Sequence, residues 1–468
     1  MQNKDIKFGT DGWRGVISDN FTFKNVRVVA QAISDWIEKD FSNKNVVVGY
    51  DTRFLSGEYA ELVSRVMAAN GIKVLLSNRA VPTPAVSLIT REKHLCAGIM
   101  ITASHNPAQF NGIKIKVATG GAAPEEVTKK VEKLLFKSKV KDISLEEAVS
   151  KNKIKIIDIT KTYLNFIRSY VDLKALKNSK FRVLVDAMYG SGDSFIGEIL
   201  KPTKIKVEFL RNNINPSFDG RQPEPVAENL GVLLSKMKKE KFDIGLVLDG
   251  DADRIAAAAP GGEFVSPQRI IGLLALHLIE DRRYRGGMVK TIAGSNLHDN
   301  IARYFSRKLY ETPVGFKYIS ELMTTKDILI GGEEAGGIGF KNYIPERDGT
   351  LAGLLLLEML AYRKKTFKVV IKEMETKFGK YYYLRDDLKL KDKAPDVLRL
   401  RSTKKILGRK VVEIKDYDGI KLICDDGSWL MLRASGTEPL VRVYSESKSL
   451  AKAKKLLEEG SKLINSLK

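Results

Sequence analysis

The stretch "CAGIMITASHNPAQFNGIKIK", Cys96 to Lys116, decides how this chain is read. An apolar run stops at a serine, a histidine and an Asn-Pro turn, and a second apolar run follows at once. Short runs that are apolar throughout suit strands buried on both faces of a largely parallel or mixed sheet. The same form recurs in "NVVVGYDTR", "RVLVDAMYGSG", "DIGLVLDGDADR" and "DILIGGEEAGG". Between these runs, "NVRVVAQAISDWIEKDF", "GEYAELVSRVMAANG", "AENLGVLLSKMKKE" and "SPQRIIGLLALHLIED" place apolar residues at helical spacing, the second with Gly71 where a C-cap belongs. The alternation predicts an α/β fold. In such folds ligands bind beyond the carboxyl ends of the strands. One polar insert is only a turn; five, rich in Asp, Glu, Ser and His, indicate a shared site.

The tail differs. "YYYLRDDLKL", "RKVVEIKDYDGIKLIC" and "SWLMLRASGTEPLVRVYSES" read as alternating antiparallel strands, followed by an amphipathic helix from about Ser449. This predicts a separate α+β domain. A chain of 468 residues is long enough for three or four domains. The charged run near 150, the "APGGEF" turn near 260 and the basic stretch near 365 are candidate boundaries.

Composition narrows the class. The chain is 43% hydrophobic and 29% charged, without a low-complexity tract. Its net charge of +22 raises a nucleic-acid reading. The lysines, however, are dispersed among glutamates at helical spacing, as in "EEVTKKVEKLLFKSKVK", which describes a solvated surface. Such a surface still favours small anionic substrates. The start "MQNKDIKFGTDGWRG" lacks the pattern of a signal peptide, and the longest apolar stretch, "LAGLLLLEMLAY", is broken by Glu358 and too short to span a bilayer. A cytoplasmic protein is expected. Cys96 and Cys424 stand far apart in apolar surroundings, without metal spacing, and read as reduced packed thiols.

Three loops carry chemistry. "DGDADR" sets Asp249, Asp251 and Asp253 at i, i+2 and i+4 directly after an apolar strand. If the loop curls, three carboxylates offer hard oxygen ligands to Mg2+. An EF-hand is excluded, since Arg254 and Pro260 stand where it needs Gly and Glu. The aspartate nucleophile of a HAD-type phosphatase belongs after the first strand, not halfway along a chain. Three like charges repel without a cation. Ser104 lies outside a GxSxG elbow, which disfavours acyl hydrolysis. Beside a divalent cation its hydroxyl could carry a phosphoryl group, with Arg14 and Lys114 neutralising charge. "RASGTEP", from Arg433, offers a guanidinium, hydroxyls and backbone N–H groups to a phosphate.

"FGTDGWRG", "TASHNP", "NGIK", "DGDADR", "GGEEAGG" and "RASGTEP" occur in an order and at separations that resemble the alpha-D-phosphohexomutases, the phosphoglucomutase and phosphomannomutase family, over nearly the whole chain. The resemblance implies four domains around a central cleft: three related mixed α/β/α domains, then an α+β domain of the TATA-binding-protein-like type. They would span 1–150 with the phosphoserine loop, 151–257 with the metal loop, 258–368 with the sugar loop and 369–468 with the phosphate loop. It implies that Ser104 carries the phosphoryl group and ligates Mg2+ together with Asp249, Asp251 and Asp253. Arg14, His105, Lys114 and Arg254 match positions around the phosphoserine. Arg433, Ser435, Gly436 and Thr437 match the loop that binds the unreacting phosphate, and Glu333 matches a carboxylate that binds sugar hydroxyls.

The implied reaction interconverts hexose 1- and 6-phosphates through a hexose 1,6-bisphosphate, which also primes the enzyme. Ala335 departs from a serine usual in the family, and Gly337 from a histidine of the dual-specificity and glucosamine branches; "EE" resembles glucose-type members. Glucose is therefore the expected sugar, with mannose or glucosamine as alternatives. The general base is left among Lys317, Lys114 and His105, a lysine needing a lowered pKa for the task. Lys317 also reads as a phosphate-steering charge. The expected partners are sugar phosphates, with no nucleic acid or membrane, for a monomer or weak homodimer. A phosphatase and a basic nucleic-acid-binding protein are the readings from other classes.

Overall fold

The computed structural model describes residues 6–390, 394–434 and 440–467. Its first sheet contains β1 (Trp13–Val16), β2 (Asn45–Tyr50), β3 (Lys73–Ser77), β4 (Ala97–Ile101), β5 (Phe110–Val117) and β6 (Ile154–Ile157), in the order β1-β5-β4-β2-β3-β6. The β-branched run of β2 lies between β3 and β4, parallel to both, and β5 returns antiparallel to β4. Helix Phe23–Asp40 starts where Thr22 Oγ1 accepts the Asn25 N–H at 3.2 Å, a side-chain N-cap. Helix Ser56–Ala69 ends at Asn70, and Gly71 follows at φ +81°, the conformation for which glycine suits a helix exit.

The second sheet contains β7 (Arg182–Asp186), β8 (Lys206–Leu210), β9 (Ile244–Leu248), β10 (Ile255–Ala259) and β11 (Glu263–Val265), ordered β11-β10-β9-β7-β8. The third contains β12 (Gly287–Thr291), β13 (Leu309–Thr312), β14 (Ile328–Gly332) and β15 (Ile338–Phe340), ordered β13-β12-β14-β15. One four-strand pattern therefore repeats: β5-β4-β2-β3, β10-β9-β7-β8 and β15-β14-β12-β13. In each copy an antiparallel return strand follows the third parallel strand. The loops before β5, β10 and β15 carry Ser104, the three aspartates and Glu333 respectively. The repeat thus places three different sets of polar side chains at one topological position.

The fourth sheet is antiparallel throughout and contains β16 (Tyr382–Lys389), β17 (Lys405–Ile406), β18 (Arg409–Lys415), β19 (Ile420–Cys424), β20 (Trp429–Ala434) and β21 (Leu440–Ser447). Helix Leu450–Ser466 packs on it, capped by Ser449 Oγ. The alternating pattern of the tail and its final helix are both present.

The sheets cross the divisions drawn from composition. β6 pairs with β3 beyond residue 150, because the charged run before it folds as helix Leu145–Ser150 and leads back into the same sheet. The "APGGEF" turn is the β10–β11 hairpin, with Gly261 and Gly262 at φ +79° and +77°, rather than a linker. Helix Phe367–Phe378 packs on helix Pro267–Leu276 and extends the third domain past 368; the basic stretch is the turn before it, where Lys364 takes φ 50°.

One apolar core runs through the first three domains, joining residues such as Val47, Leu246 and Leu355. At its centre lies helix Gly349–Arg363, whose buried Glu358 accepts from Arg282 Nε at 2.6 Å and lies 2.9 Å from His277 Nε2. The fourth domain has its own core and meets the third through Ile292, Ala293, Trp429, Met431 and Tyr444. Cys96 and Cys424 are buried free thiols. Among the described residues, no helix is long and apolar enough to cross a membrane.

Candidate active site

Ser104 is buried in the turn after β4 at φ 52°, a backbone region that non-glycine residues seldom adopt. Buried Arg53, at the end of the β2 segment, holds that turn. Its Nη1 donates to the carbonyls of Pro107 (2.9 Å) and Phe110 (3.1 Å), and its Nη2 to those of Ser104 and Asn106 (both 2.6 Å). Asp51 lies 3.3 Å from Arg53 Nε and accepts from Thr102 Oγ1 at 2.6 Å. Thr102 Oγ1 in turn accepts the Ser104 N–H at 2.8 Å. A strained backbone persists where its surroundings over-determine it. Here one guanidinium satisfies four carbonyls.

The "DGDADR" loop curls with Ala252 at φ 54° and brings Asp249, Asp251 and Asp253 together, fully buried, with one carboxylate oxygen of each within 4.8 Å of the others. Ser104 Oγ donates to Asp249 Oδ2 at 2.8 Å. Asp251 Oδ2 accepts from Thr83 Oγ1 at 2.5 Å and Lys114 Nζ at 2.7 Å; Asp253 Oδ2 accepts from Lys114 Nζ at 2.9 Å. Asp251 Oδ1 and Asp253 Oδ1 are buried with no hydrogen-bond partner. Unpaired carboxylate oxygens are costly in a protein interior, and an all-oxygen cluster matches what Mg2+ binds. These residues fit a divalent cation.

The charges around the cluster are not alike. Burial, followed by the neighbouring Asp251 and Asp253, pushes Asp249 well above the usual carboxylate range. Burial acts on Asp251 in the same direction, but Lys114 and the Thr83 hydroxyl reverse it and hold that carboxyl below its ordinary value. For Lys114, burial is outweighed by Asp11, Asp251 and Asp253, and its pKa rises. That direction is opposite to what a lysine base requires. Burial, then Arg254 and Arg14, holds His105 well below the ordinary imidazole value and hence neutral; its Nδ1 lies 3.4 Å from Ser104 Oγ. Arg14 Nη1 donates to Asn106 Oδ1 at 2.5 Å. The Arg254 N–H donates to Asp249 Oδ1 at 3.1 Å.

Arg347 links this cluster to the loop that carries Glu333. Its buried guanidinium lies 2.5 Å from Asp11, 2.7 Å from Asp253, 3.1 Å from Glu333 and 3.4 Å from Glu346. Burial raises Glu333 to about 7, with Glu334 adding to the rise and Arg347 opposing it. A Cβ added at Gly337 would come within 2.8 Å of Arg347 Cγ. The arginine stem therefore occupies the space beside the loop that a larger residue at 337 would need.

Not every expected residue joins the cluster. Lys317 lies at the start of helix Phe316–Thr325, where its ammonium pairs with Glu125 at 3.2 Å and sits over the Tyr318 ring. Among the described residues it bonds to neither Ser104 nor the aspartates. Arg433 lies near the end of β20 with its Nε on Asp418. Ser435, Gly436 and Thr437 lie outside the described residues. The sequence reading missed Arg53, Thr83, Arg347 and Asp11. Arg53 and Asp11 stand inside motifs quoted for other reasons, "YDTR" and "TDGWRG", and that proximity was the available signal.

Comparison with known proteins identifies the family. Models of the phosphoglucomutase/phosphomannomutase family match in series: alpha/beta/alpha domain I over residues 5–142, domain II over 161–262, domain III over 266–378 and the C-terminal domain over 388–462. A phosphoglucomutase/phosphomannomutase of Thermococcus kodakarensis is 33% identical over 462 residues, covering 98% of each chain. A phosphoglucosamine/phosphogalactosamine mutase of Sulfurisphaera tokodaii is 29% identical with the same coverage. A crystal structure of a candidate phosphomannomutase from Thermus thermophilus superposes with a TM-score of 0.88 at 34% identity, over 98% of this chain and 99% of that one. With four matched domains and a relative aligned end to end, this chain belongs to the phosphoglucomutase/phosphomannomutase family, the phosphohexomutases.

Proposed function

We propose that this protein interconverts hexose 1-phosphate and hexose 6-phosphate, with glucose as its preferred sugar, by way of a phosphoryl group carried on Ser104. The observation that carries the proposal is the 2.8 Å hydrogen bond from Ser104 Oγ to Asp249 Oδ2, at the edge of a buried three-carboxylate cluster. Asp249, Asp251 and Asp253 would hold Mg2+, which when bound supplies positive charge to the oxygens of a transferring phosphoryl group.

The proposed reaction is a double phosphoryl transfer. The Ser104 phosphate is attacked by one sugar hydroxyl, its P–Oγ bond breaks, and a hexose 1,6-bisphosphate forms. Ser104 Oγ then takes the other phosphoryl group, and the second hexose monophosphate leaves. Arg14 and Arg254 offset charge as each group transfers. Arg53 fixes the serine turn, and a fixed reacting geometry contributes directly to rate. Neutral His105, with a ring nitrogen near Oγ, suits exchange of a hydroxyl proton better than charged Lys114. Arg433, with Ser435, Gly436 and Thr437, would grip the phosphate that is not reacting, and Glu333 would accept from sugar hydroxyls. A bisphosphate supplied in trace amounts would prime the unphosphorylated serine.

The sugar preference rests on Glu333 and on the small residues Ala335 and Gly337 beside it. Measuring kcat/KM for glucose, mannose and glucosamine 1-phosphates with Mg2+ and a trace of the matching 1,6-bisphosphate tests it. Glucose should be turned over most efficiently. A larger kcat/KM for mannose or glucosamine phosphate contradicts the assignment.

A further inference from the structure

The turn between β18 and β19 makes a contact that the reaction above does not use. Asp418 Oδ1 accepts from Arg433 Nε at 2.7 Å, and Asp418 Oδ2 accepts from the Val314 N–H at 2.7 Å. One carboxylate therefore joins an arginine of the fourth domain to the third domain, at the loop between β13 and helix Phe316–Thr325. The turn is shaped for this approach. Gly419 sits at φ +80°, and a Cβ there would lie 3.0 Å from Arg433 Cα. Lys415 Nζ and Tyr417 OH both donate to Glu311 Oε1 at 2.7 Å, fastening the turn to β13. Val314 packs against the buried apolar cluster where the two domains meet.

Which nitrogen is bound matters. A guanidinium presents five N–H groups in a rigid fork. Asp418 takes the Nε–H, and the Nη1/Nη2 edge, which forms parallel bonds to a phosphate, is not used by this carboxylate. Arginine otherwise has many rotamers to lose when it grips an anion. Both oxygens of Asp418 are occupied, one of them by a backbone N–H of another domain, so its own orientation is set from outside its turn.

We propose that Asp418 is a positioning residue for phosphate recognition, orienting Arg433 against the third domain before the sugar phosphate arrives. The inference rests on the reading of Arg433 as a phosphate contact. Its competitor is a simple strut that docks one domain on the other. The two differ in how Asp418 and Arg433 depend on each other, which a double-mutant cycle reads.

The test is steady-state mutase kinetics with glucose 1-phosphate, Mg2+ and trace glucose 1,6-bisphosphate on four proteins: wild type, Asp418→Ala, Arg433→Ala and the double variant. Asp418→Ala should raise KM about tenfold, the size expected for one charge-assisted hydrogen bond, while adding less than about twofold in the Arg433→Ala background. Tyr417→Phe, which loosens the dock but leaves Asp418, should change KM less than about twofold. Should Asp418→Ala not fold, Asp418→Asn keeps a neutral acceptor for the Val314 N–H and should raise KM about threefold. An unchanged KM in the Asp418 variant, equal effects in both backgrounds, or a Tyr417→Phe effect as large as that of Asp418→Ala overturns the proposal. A wild-type protein that turns over no hexose phosphate instead overturns the functional reading beneath it.

Discussion

Ser104 Oγ and Asp249 Oδ2 stand 2.8 Å apart, although 145 positions separate the two residues in the chain. The first sheet delivers one and the second sheet the other, each at the loop before an antiparallel return strand. If Ser104 carries the phosphoryl group, Ser104→Ala lowers mutase kcat by roughly 1,000-fold or more, the scale of losing a nucleophile. Its thermal midpoint should fall only modestly, because no large cavity opens although Asp249 Oδ2 loses its donor. Circular dichroism melting and coupled kinetics check both halves.

Arg53 tests the backbone around that serine. Arg53→Lys keeps a cation beside Asp51 but cannot span four carbonyls with one ammonium. The expected result is a kcat reduced about 100-fold by displacement of the reacting oxygen, with KM changed far less. Equal losses in both constants would place Arg53 in substrate binding instead.

Metal binding should be visible without turnover. Isothermal titration of the chelated protein with Mg2+ should show one site, and excess Mg2+ should raise the melting midpoint, since a ligand that binds only the folded state stabilises it. Asp253→Asn should weaken the titration and reduce that rise. No heat and no shift in the wild type would contradict the assignment of the cluster.

Glu333 predicts a pH effect of definite sign. Its folded value of about 7 lies above the ordinary glutamate range because burial disfavours the charged form. A carboxyl raised in this way holds its proton more tightly when folded, so its destabilising charge is fully present above pH 7. That penalty is relieved as pH falls from about 7 toward the unfolded value. Glu333→Gln should therefore stabilise the protein at pH 8 by on the order of 2 kcal/mol and change little at pH 5. If Glu333 binds sugar hydroxyls, wild-type KM should fall as pH rises through 7, because an ionised carboxylate accepts hydrogen bonds more strongly. Denaturant midpoints and a KM–pH profile read the two effects.

Arg347 lies within reach of carboxylates from all three repeated domains. Arg347→Met leaves Asp11, Asp253, Glu333 and Glu346 without it, and breaking buried pairs from one side costs about 3–5 kcal/mol. A fall in unfolding free energy of that size, read as a lower urea midpoint at unchanged slope, is the expected result. A neutral substitution would show that those charges are satisfied by other groups.

What was legible in the sequence follows from how far each signal reaches. Asp249, Asp251 and Asp253 share one short loop, so their spacing alone announces a cluster, and Ser104 stands in a polar insert after an apolar strand. The strands and helices around them are equally local patterns. Arg347 and Asp11 meet across 336 positions, and Thr83 reaches Asp251 across 168. No window of sequence holds both partners of such a pair. The same limit explains Lys114, whose three carboxylate neighbours come from two distant segments and reverse the direction of its pKa. It also explains the displaced boundaries: charged or glycine-rich stretches mark any exposed turn, and only strand pairing shows which turns lie inside a domain.

The central claim is tested most directly by following phosphorus during turnover of glucose 1-phosphate with Mg2+ and a trace of radiolabelled glucose 1,6-bisphosphate, then locating the protein-bound label by peptide mapping. The account predicts glucose 6-phosphate without accumulation of inorganic phosphate, and label on the peptide containing Ser104. Steady release of inorganic phosphate, or label on any other residue while Ser104→Ala retains turnover, would contradict it.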